Sequence, residues 1–425
     1  LARPGLYIVD EEHDASYKQQ DGFRYNARDL IVKRAQQDGV PVILGSATPS
    51  LESMENVRRG RYRQLLLRQR VRGAAMPKFQ LLDLGRLPVT SGITPPMLAA
   101  LRLRLDRGEQ SIVYVNRRGF APVVLCSTCR WQARCDRCDV HLTLHRRSER
   151  LRCHHCGASR DPPEQCPKCG QSTLHPVGEG TQRVEDTLQK VLPGVRILRL
   201  DSDNTGNAAD LATDLARVRQ GTIDVLVGTQ LVAKGHDFPA VTLVCILNAD
   251  SGLYSVDFRA AERLYQQLTQ VAGRAGRADR PGQVLVQTRH PENVSFYRLA
   301  RHDYDGFVTA ELDQRRLAFC PPFIRFALLR AESLRPAVPL EFVSVAARVG
   351  HRRLAGQPSQ AVRLMDPVPS PMERKAGRYR AQLLVTSRAH TPLHRFLDDW
   401  LCDLEGLKSG RSVRWSLDVD PMEMY

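Results

Sequence analysis

Short apolar runs, each followed by small or polar residues, recur along this chain and alternate with stretches of helical character. The clearest runs lie at residues 6–9, 42–44, 111–115 and 224–227. This alternation is typical of a parallel α/β architecture, in which helices cover a buried sheet. We therefore expect α/β lobes whose chemistry lies at the carboxyl ends of the strands.

The pattern changes beyond about residue 291. Runs at 325–329 and 382–385 read as strands, and Pro321-Pro322-Phe323 marks a turn, so an α+β domain is predicted there. The longest apolar stretch of the chain, at 241–247, is far shorter than a membrane-spanning helix requires. No membrane association is predicted.

Composition indicates which class of partner this chain of several domains would bind. The chain has 425 residues, with 62 Lys and Arg against 46 Asp and Glu, a formal net charge of +16. That length suffices for two or three domains. A charge excess of this size favours a polyanion such as nucleic acid over charge that serves solubility alone.

An acidic cluster, Asp10-Glu11-Glu12-His13, directly follows the first apolar run. At such a strand end an Asp can hold Mg²⁺ against nucleotide phosphates, and a neighbouring Glu can orient the attacking water. An ordinary surface acidic cluster is the alternative. No Gly-Lys-Ser/Thr loop that would cradle the phosphates occurs in the sequence. Because the chain begins at Leu1 rather than Met, we expect that an N-terminal portion carrying that loop is missing.

Eight of the eleven cysteines form four pairs with two residues between the thiols: Cys126/Cys129, Cys135/Cys138, Cys153/Cys156 and Cys166/Cys169. This spacing lets both thiolates of a tight turn face one tetrahedral metal, so two Cys₄ zinc sites are predicted. A disulfide framework, the alternative, belongs to small secreted domains. Of the three possible groupings we favour a nested one, with the outer pairs on one zinc and the inner pairs on the other.

These zinc sites are predicted to be structural. Eight thiolates fill two tetrahedral sites and leave no open position for hydrolysis. Four histidines could replace a ligand but fit better as surface or DNA-facing residues: His141, His145, His154 and His155. A zinc-dependent hydrolase is therefore disfavoured. The isolated Cys245, Cys320 and Cys402 are expected to be buried small hydrophobes.

Three further strings are candidates for chemistry. Gly45-Ser46-Ala47-Thr48-Pro49 is a small-residue turn suited to link a nucleotide site to a second surface, or a plain turn. Gly228-Thr229-Gln230 with Lys234-Gly235-His236-Asp237 can contact a nucleic-acid backbone or sense the nucleotide. A helical stretch at 258–271 leads to Gln270 through Arg277, where Arg274 and Arg277 are predicted to share one helix face and act as arginine fingers.

In this order the strings resemble motifs II, III, V and VI of superfamily-2 helicases. The cysteine block, with Asn116-Arg117-Arg118-Gly119-Phe120-Ala121-Pro122 before it, is similar to one group in particular, the PriA family of primosomal replication-restart helicases. The similarity extends over nearly the whole chain, through Asp257-Phe258-Arg259 and Gly377-Arg378-Tyr379-Arg380 to Asp418-Val419-Asp420-Pro421.

The resemblance implies an ATP-dependent 3′-to-5′ DNA helicase that recognises stalled or abandoned forks and initiates primosome assembly. By position, Asp10 would hold Mg²⁺, Glu11 would activate water, and Arg274 and Arg277 would reach the ATP phosphates from the second lobe. The remaining positions implied at the nucleotide site or in its coupling to DNA are His13, Ser46, Thr48 and Gln270. Those implied on the DNA-tracking surface are Thr229, Lys234, Gly235 and His236.

Residues 16–25 resemble the family's aromatic-rich loop, which senses single-stranded DNA, and are called the aromatic loop below. Tyr17, Phe23 and Tyr25 can stack on bases without reading sequence, while Lys18 and Arg24 can meet phosphates. A loop with core-anchoring aromatics is the alternative, particularly for Tyr25.

The predicted fold is thus α/β with two RecA-like lobes, the first partial, a zinc-binding insertion in the second, and an α+β C-terminal domain. The predicted boundaries are 1–75, 76–122, 123–175, 176–290 and 291–425, the third being the insertion. Expected partners are branched and single-stranded DNA, single-stranded-DNA-binding protein and primosome components. A basic patch at Arg374, Lys375, Arg378 and Arg380 is a candidate DNA contact. We expect a cytoplasmic, nucleoid-associated monomer.

The chain departs from the family at two positions, with Asn248 where Asp is general and Gln182 where Glu is usual. Because the phosphate loop is absent, we predict that these 425 residues alone do not hydrolyse ATP. The rival interpretation is a zinc-ribbon DNA-binding scaffold with a degenerate helicase fold. The paired acids together with the arginines argue against it, since a scaffold has no need of them.

Overall fold

The structure is a computed structural model. It describes residues 4–67, 75–89, 92–116, 123–126, 128–129, 131–137, 142–145, 150–153, 156, 158–177, 181–200, 208–229, 238–253, 257–276, 280–355 and 361–424. The chain divides into two compact units. The first unit comprises Leu1–Asn56, Val123–Pro176 and Leu312–Tyr425, and the second comprises Val57–Pro122 and Val177–Glu311.

The described strands, in chain order, are β1 (Tyr7–Val9), β2 (Val42–Leu44), β3 (Lys78–Asp83), β4 (Gln110–Val115), β5 (Val123–Cys126), β6 (Thr143–His145), β7 (Arg150–Arg152), β8 (Ser159–Arg160), β9 (Leu174–Val177), β10 (Ile197–Leu200), β11 (Val225–Gly228), β12 (Val241–Leu247), β13 (Gln283–Thr288), β14 (Arg325–Ser333), β15 (Val362–Leu364), β16 (Val368–Lys375), β17 (Arg378–Ser387) and β18 (Arg414–Val419). The described α-helices span Ala27–Asp38, Leu51–Arg58, Pro95–Asp106, Thr181–Val191, Ala208–Arg219, Ala260–Ala272, Val294–Ala300, Tyr304–Leu317, Val338–Ala355 and His390–Gly406.

In the first unit, β1 and β2 lie side by side in parallel, with Val9 opposite Leu44. The helix Ala27–Asp38 connects them. It begins where the Asn26 side chain accepts the amide of Arg28 at 3.0 Å, and it ends at Gly39, whose φ of 68° closes the last turn. This short βαβ unit places the end of β1 beside the turn that follows β2.

The second unit contains a six-stranded parallel sheet in the order β10-β11-β4-β12-β13-β3. Every residue of β4 and β12 is buried, as continuous apolar runs predict for the central strands of a parallel sheet. Met97 and Leu101 from one helix and Val184 and Leu188 from another pack in the core cluster on this sheet. The predicted α/β class is confirmed.

Strand β3 is an element that the sequence analysis did not predict. It pairs in parallel with β13 and lies at the edge of the sheet. Its residues are mostly exposed or half-buried, and Leu82 alone among them is buried. An edge strand covered on few sides has a weak apolar signal, which explains why its pattern was missed.

The Cys-rich segment follows β4 in the chain and precedes the helix Thr181–Val191, so it is inserted between elements of the second unit. Strands β5 to β9 form its own five-stranded sheet in the order β8-β7-β6-β5-β9. Its apolar cluster is small and consists of Val124, Ala133, Leu142, Leu151, Cys135 and Cys153. Such a module has little hydrophobic burial to stabilise it without metal.

The C-terminal domain is an antiparallel sheet in the order β15-β17-β14-β18, with β16 also paired to β17. The helices Val338–Ala355 and His390–Gly406 contribute to its core, where Phe342, Phe396 and Trp400 are buried against the sheet. The Trp400 indole donates to the carbonyl of Ala346 at 3.1 Å and joins the two helices. This arrangement confirms the predicted α+β domain.

Candidate functional site

Two carboxylates at the carboxyl end of β1 are exposed, those of Asp10 and Glu11. The Asp10 carboxylate accepts the amide of Glu11 at 2.9 Å. Glu11 has a φ of 48°, a left-handed conformation that is uncommon for a residue other than glycine and concentrates at functional sites. Exposed carboxylate oxygens in a tight turn are the ligands that Mg²⁺ prefers, so these residues fit the metal.

The neighbouring Glu12 is buried and holds the turn together. Its carboxylate accepts the amide of Ser50 at 2.5 Å and the Ser50 hydroxyl at 3.0 Å, and it pairs with Arg28 at 3.0 Å. Burial opposes the charge of Arg28, but the carboxylates of Asp29 and Glu12 prevail and raise its pKa. Glu12 therefore ties the start of two helices to the end of β1.

A polar chain connects Glu11 to the Gly45–Pro49 turn. His13 Nδ1 lies 3.5 Å from Glu11 Oε2 and 2.7 Å from Ser46 Oγ, and Ser46 Oγ accepts the amide of Thr48 at 2.9 Å. The backbone reinforces this contact, because the amide of Glu12 donates to Gly45 O at 3.0 Å. The structure thus brings together the acids, His13, Ser46 and Thr48.

The aromatic loop forms a short excursion whose base is closed. Lys18 and Asn26 form an antiparallel bridge, and the amide of Gln19 donates to Tyr25 O at 2.9 Å. Phe23 is 83% exposed and Tyr25 is 38% exposed, with ring centroids 6.0 Å apart. Two adjacent exposed rings are available for stacking on unpaired bases.

Two residues of this loop have roles that the sequence did not indicate. The hydroxyl of Tyr17 donates to Asp10 O at 2.7 Å. The ammonium of Lys18 is buried, 2.8 Å from Asp418 Oδ1, and donates to Val419 O at 2.7 Å. The expected contact of Lys18 with phosphates does not match this position, because a buried and paired ammonium does not face solvent.

The second unit gathers further residues at the carboxyl edge of its sheet. Asn116 follows β4, Thr229 follows β11 and Asn248 follows β12. Thr229 and Asn116 are buried. Asn248 has a φ of 54°, a conformation that Asn adopts readily, so this departure from the family suits the local backbone. Lys234, Gly235 and His236 lie outside the described residues.

The arginine motif corrects a second expectation. The helix Ala260–Ala272 ends at Ala272, so the buried Arg274 lies beyond it in a turn rather than on a helix face. Gln270 is half-buried in the last helical turn, and Arg277 lies outside the described residues. The predicted shared helix face of Arg274 and Arg277 is therefore wrong, because Gly273 and Gly276 favour a turn here.

Gly276 is a structurally constrained position that sequence reasoning missed. Its φ is 66°, and a Cβ there would lie 2.4 Å from the amide nitrogen of Gly282. A Cβ on Gly282 would in turn lie 2.7 Å from the carbonyl carbon of Ala275. Because neither glycine has a side chain, the segment after Arg274 packs closely against Gly282. The recurrence of glycine near the arginines is the sequence signal that could have identified this constraint.

The outer cysteine pairs converge on one point. The thiols of Cys126, Cys129, Cys166 and Cys169 all lie within 4.8 Å of one another. Cys126 and Cys169 are 3.6 Å apart, and Cys129 and Cys166 are 3.5 Å apart, between sulfur atoms. Four ligands at Zn–S distances of about 2.3 Å in a tetrahedron have sulfur atoms about 3.8 Å apart, so the group fits zinc.

The inner pairs supply a second group, Cys135, Cys153 and Cys156, also within 4.8 Å of one another. Cys138 lies outside the described residues, as do His141, His154 and His155. The grouping of the described cysteines is that of the nested arrangement. Zinc binding by the Cys-rich region is supported by both groups.

A repeated backbone turn shapes these pairs. The amides of Cys126, Cys153 and Cys166 donate to the carbonyls of Trp131, Ala158 and Gln171, each five residues later, at 2.8, 2.8 and 2.9 Å. The Thr173 hydroxyl, 3.3 Å from Cys126 Sγ, and the backbone amides of Cys129 and Thr128 together lower the pKa of the Cys126 thiol to about 6. Thiolate character at this position favours metal binding.

The other cysteines and the basic patch differ in part from expectation. Cys245 is buried, as predicted, whereas Cys320 is half-buried and Cys402 is exposed. In the basic patch Lys375 is exposed, but Arg378 lies 3.7 Å from Glu332. Burial lowers the pKa of Arg380. The patch is therefore less available to phosphates than its four basic residues between 374 and 380 indicate.

Comparisons with known proteins match three parts of the chain. Residues 135–160 match the PriA DNA helicase Cys-rich region domain, and residues 316–422 match the primosomal protein N C-terminal domain. Residues 177–279 match the helicase conserved C-terminal domain. The chain belongs to the PriA family. The matched Cys-rich region includes the second group of thiols, and the PriA C-terminal match includes Asp418, the partner of Lys18.

Relatives match along nearly the whole chain. It is 40% identical over 421 residues to replication restart protein PriA of Haemophilus influenzae, covering 99% of this chain and 57% of the relative. It is 37% identical over 426 residues to PriA of Bacillus subtilis, covering 99% and 52%. The chain thus spans about half the length of the curated relatives it matches.

A solved structure of helicase Lhr from Mycobacterium smegmatis bound to ssDNA and AMP-PNP aligns with 71% of this chain and 31% of that one. The identity is 15% and the TM-score is 0.37. Among the described residues, no helix combines the length and apolar character needed to cross a membrane.

Proposed function

We propose that this chain contributes helicase and DNA-binding parts to an ATP-dependent DNA helicase of replication restart. The observation that carries the proposal is the pair of exposed carboxylates at the end of β1, joined through His13 to Ser46. The membership in the PriA family and the helicase domain at 177–279 support it. We further propose 3′-to-5′ movement and recognition of stalled or abandoned forks.

In this mechanism Asp10 and Glu11 act on the nucleotide. Asp10 would hold Mg²⁺, which when bound neutralises phosphate charge. Glu11 would orient or deprotonate the attacking water, and the 3.5 Å approach of His13 Nδ1 to its carboxylate would steady that geometry. Arg274, with Arg277, would stabilise the charge that develops on the transferred phosphoryl group.

DNA would be bound by stacking on Phe23 and Tyr25, with phosphate contacts from Arg24 and from the segment after Thr229, including Lys234, Gly235 and His236. The Tyr17 hydroxyl contacts Asp10 O, so the aromatic loop reaches the acidic residues. DNA bound at this loop would therefore lie near Asp10 and Glu11. Single-stranded-DNA-binding protein and primosome components are proposed partners, and we propose a cytoplasmic, nucleoid-associated monomer.

We propose two structural zinc ions. The first would be held by Cys126, Cys129, Cys166 and Cys169, and the second by Cys135, Cys138, Cys153 and Cys156. With four thiolates each, neither ion has a free coordination position, so their contribution is to fold the Cys-rich module.

The test is DNA-stimulated ATP hydrolysis and duplex unwinding by the full-length protein. Glu11→Gln is expected to lower turnover about 100-fold or more, since it removes the general base. Arg274→Ala is expected to lower it at least as strongly. Arg280→Ala serves as the matched control, because Arg280 lies nearby in the chain and is 56% exposed at its side chain.

Two further comparisons sharpen the result. Glu12→Gln is expected to lower thermal stability because Glu12 is buried and paired with Arg28, whereas Glu11→Gln, at an exposed side chain, leaves it unchanged. Unwinding of a 3′-tailed but not a 5′-tailed duplex would support the direction. If the full-length wild type neither hydrolyses ATP nor unwinds DNA, the zinc-ribbon scaffold replaces the helicase. The 425 residues alone, which contain no phosphate loop, are predicted not to hydrolyse ATP.

A further inference from the structure

The buried ion pair between Lys18 and Asp418 joins residues 400 positions apart in sequence. The Lys18 side chain is 3% exposed and that of Asp418 is 6% exposed. One acid receives two cations, because Arg330 Nη1 lies 3.2 Å from Asp418 Oδ2 on its other side. Arg330 also donates to the carbonyl of Glu423. The pair is therefore built into the C-terminal sheet, through β14 and β18.

A buried pair of this kind is not explained by stability alone. Desolvating two charges costs about as much as their attraction returns, so apolar residues of similar size would often stabilise equally well. What an ion pair adds is a specific position, since a displaced partner would leave a buried charge uncompensated. Lys18 is thereby held at one point on the C-terminal domain, with a second contact to Val419 O at 2.7 Å.

The position of Lys18 in the chain links this ion pair to the aromatic loop. It closes the base of the aromatic loop by its bridge to Asn26. The preceding residue, Tyr17, donates to Asp10 O, and Phe23 stands exposed at the other end of the loop. A base stacking on Phe23 can act on Asp10 only if the segment between them is held, because a free loop would absorb the displacement.

We propose that Lys18 is a positioning residue whose pair with Asp418 anchors the aromatic loop to the C-terminal domain, and that this anchor is required for DNA to stimulate hydrolysis at Asp10 and Glu11. The proposal rests on the function proposed above. It assigns Asp418, which pairs with Lys18 and Arg330, a part in the coupling between DNA and the nucleotide site.

The test uses Asp418→Asn in the full-length protein, with two measurements. Hydrogen exchange of peptides covering residues 14–26 reports on the anchor and is expected to become faster. ATP hydrolysis with and without single-stranded DNA reports on coupling. The maximal stimulation by DNA is expected to fall about five-fold or more, while the rate without DNA is unchanged.

Asp403→Asn is the matched control. Asp403 also pairs with an arginine in the C-terminal domain, Arg353, at 2.7 Å, but on the helices and with its side chain 30% exposed. It is expected to change neither measurement. The double variant Lys18→Met/Asp418→Asn removes both charges, so it remains testable if the single variant does not fold. Its loss of stimulation is expected to equal that of Asp418→Asn rather than exceed it.

The outcomes separate the anchor from the function. Unchanged exchange at residues 14–26 in both variants would overturn the anchor. Faster exchange with undiminished stimulation would show an anchor without coupling and overturn the proposal. If the wild type shows no DNA-stimulated turnover, the proposed function fails and coupling fails with it, while exchange still decides whether the anchor exists.

Discussion

Gly276 illustrates how one hydrogen atom in place of a side chain can determine a local structure. Alanine there meets two obstacles, a φ of 66° and a Cβ 2.4 Å from the amide nitrogen of Gly282. The left-handed backbone costs about 1–2 kcal/mol and overpacking about 1–3 kcal/mol more. We therefore predict that Gly276→Ala lowers the free energy of unfolding by about 2–5 kcal/mol, measured by denaturant titration.

The chain provides a control that separates these two costs. Gly221 lies in the same unit with a φ of 73°, and nothing lies within 4 Å of a Cβ placed there. Gly221→Ala should therefore lose only the backbone contribution, about 1–2 kcal/mol. Equal losses at both positions would show that the packing of Gly276 against Gly282 contributes nothing.

The sequence identified the residue types at the candidate site, but it did not indicate which of their side chains are buried. Glu11 and Glu12 are neighbours of the same type, yet Glu11 is exposed and Glu12 is enclosed by Arg28 and Ser50. Lys18 was expected at phosphates because its loop neighbours are aromatic. Its partner, Asp418, comes from the other end of the chain, and no local pattern identifies a contact at that separation.

At the scale of elements, strong periodicity predicted the buried strands and helices together with their approximate ends. The central strand β4 was placed to within one residue, because a continuous apolar run has few other solutions. The helix before Arg274 was predicted at 258–271 and spans Ala260–Ala272, so its end was placed to within one residue, but Arg274 lies beyond that end and not on a helix face. The edge strand β3 was missed because exposure leaves its apolar pattern weak.

The Cys-rich module is the element whose stability should depend most on metal. Its apolar cluster is small, and its described thiols fall in two groups. We predict that Cys135→Ser binds about one zinc per chain in place of two, since three thiolates hold the second ion weakly. Metal content of the purified protein, measured by atomic emission, checks this. Cys402→Ser, which alters an exposed thiol outside both groups, should retain the wild-type content.

We predict that Cys135→Ser also changes hydrogen exchange in the C-terminal domain. The amide of Gly377, between β16 and β17, donates to Arg137 O at 2.7 Å, and Arg137 lies two residues after Cys135. Losing the second zinc should free this carbonyl and speed hydrogen exchange at Gly377. Unchanged protection there, with one zinc gone, would show that the turn keeps its shape without metal.

At the scale of the whole chain, the sequence predicted the classes of the parts better than their grouping. The family, the α/β sheet and the α+β C-terminal domain are confirmed, because each has its own motif or periodicity. The Cys-rich segment is inserted between elements of the second unit but groups with the first. That grouping depends on contacts such as Arg137 with Gly377, which neither spacing nor composition encodes. The five predicted domain boundaries remain predictions.

The net charge of +16 and the exposed aromatic rings would make separate contributions to the proposed DNA binding, and salt can distinguish them. Phosphate contacts release counterions, so the affinity for single strands falls with salt by a logarithmic slope of about 0.7 per contact, whereas stacking releases none. We predict that Arg24→Ala reduces this slope by about 0.7, measured by fluorescence anisotropy with a labelled oligonucleotide.

Phe23→Ala should weaken binding of the same oligonucleotide by about 1–3 kcal/mol at every salt concentration and leave the slope unchanged. Arg34→Ala, an exposed cation on the following helix, should change neither quantity. A lower slope for Phe23→Ala would mean that the ring positions charges rather than stacks on bases.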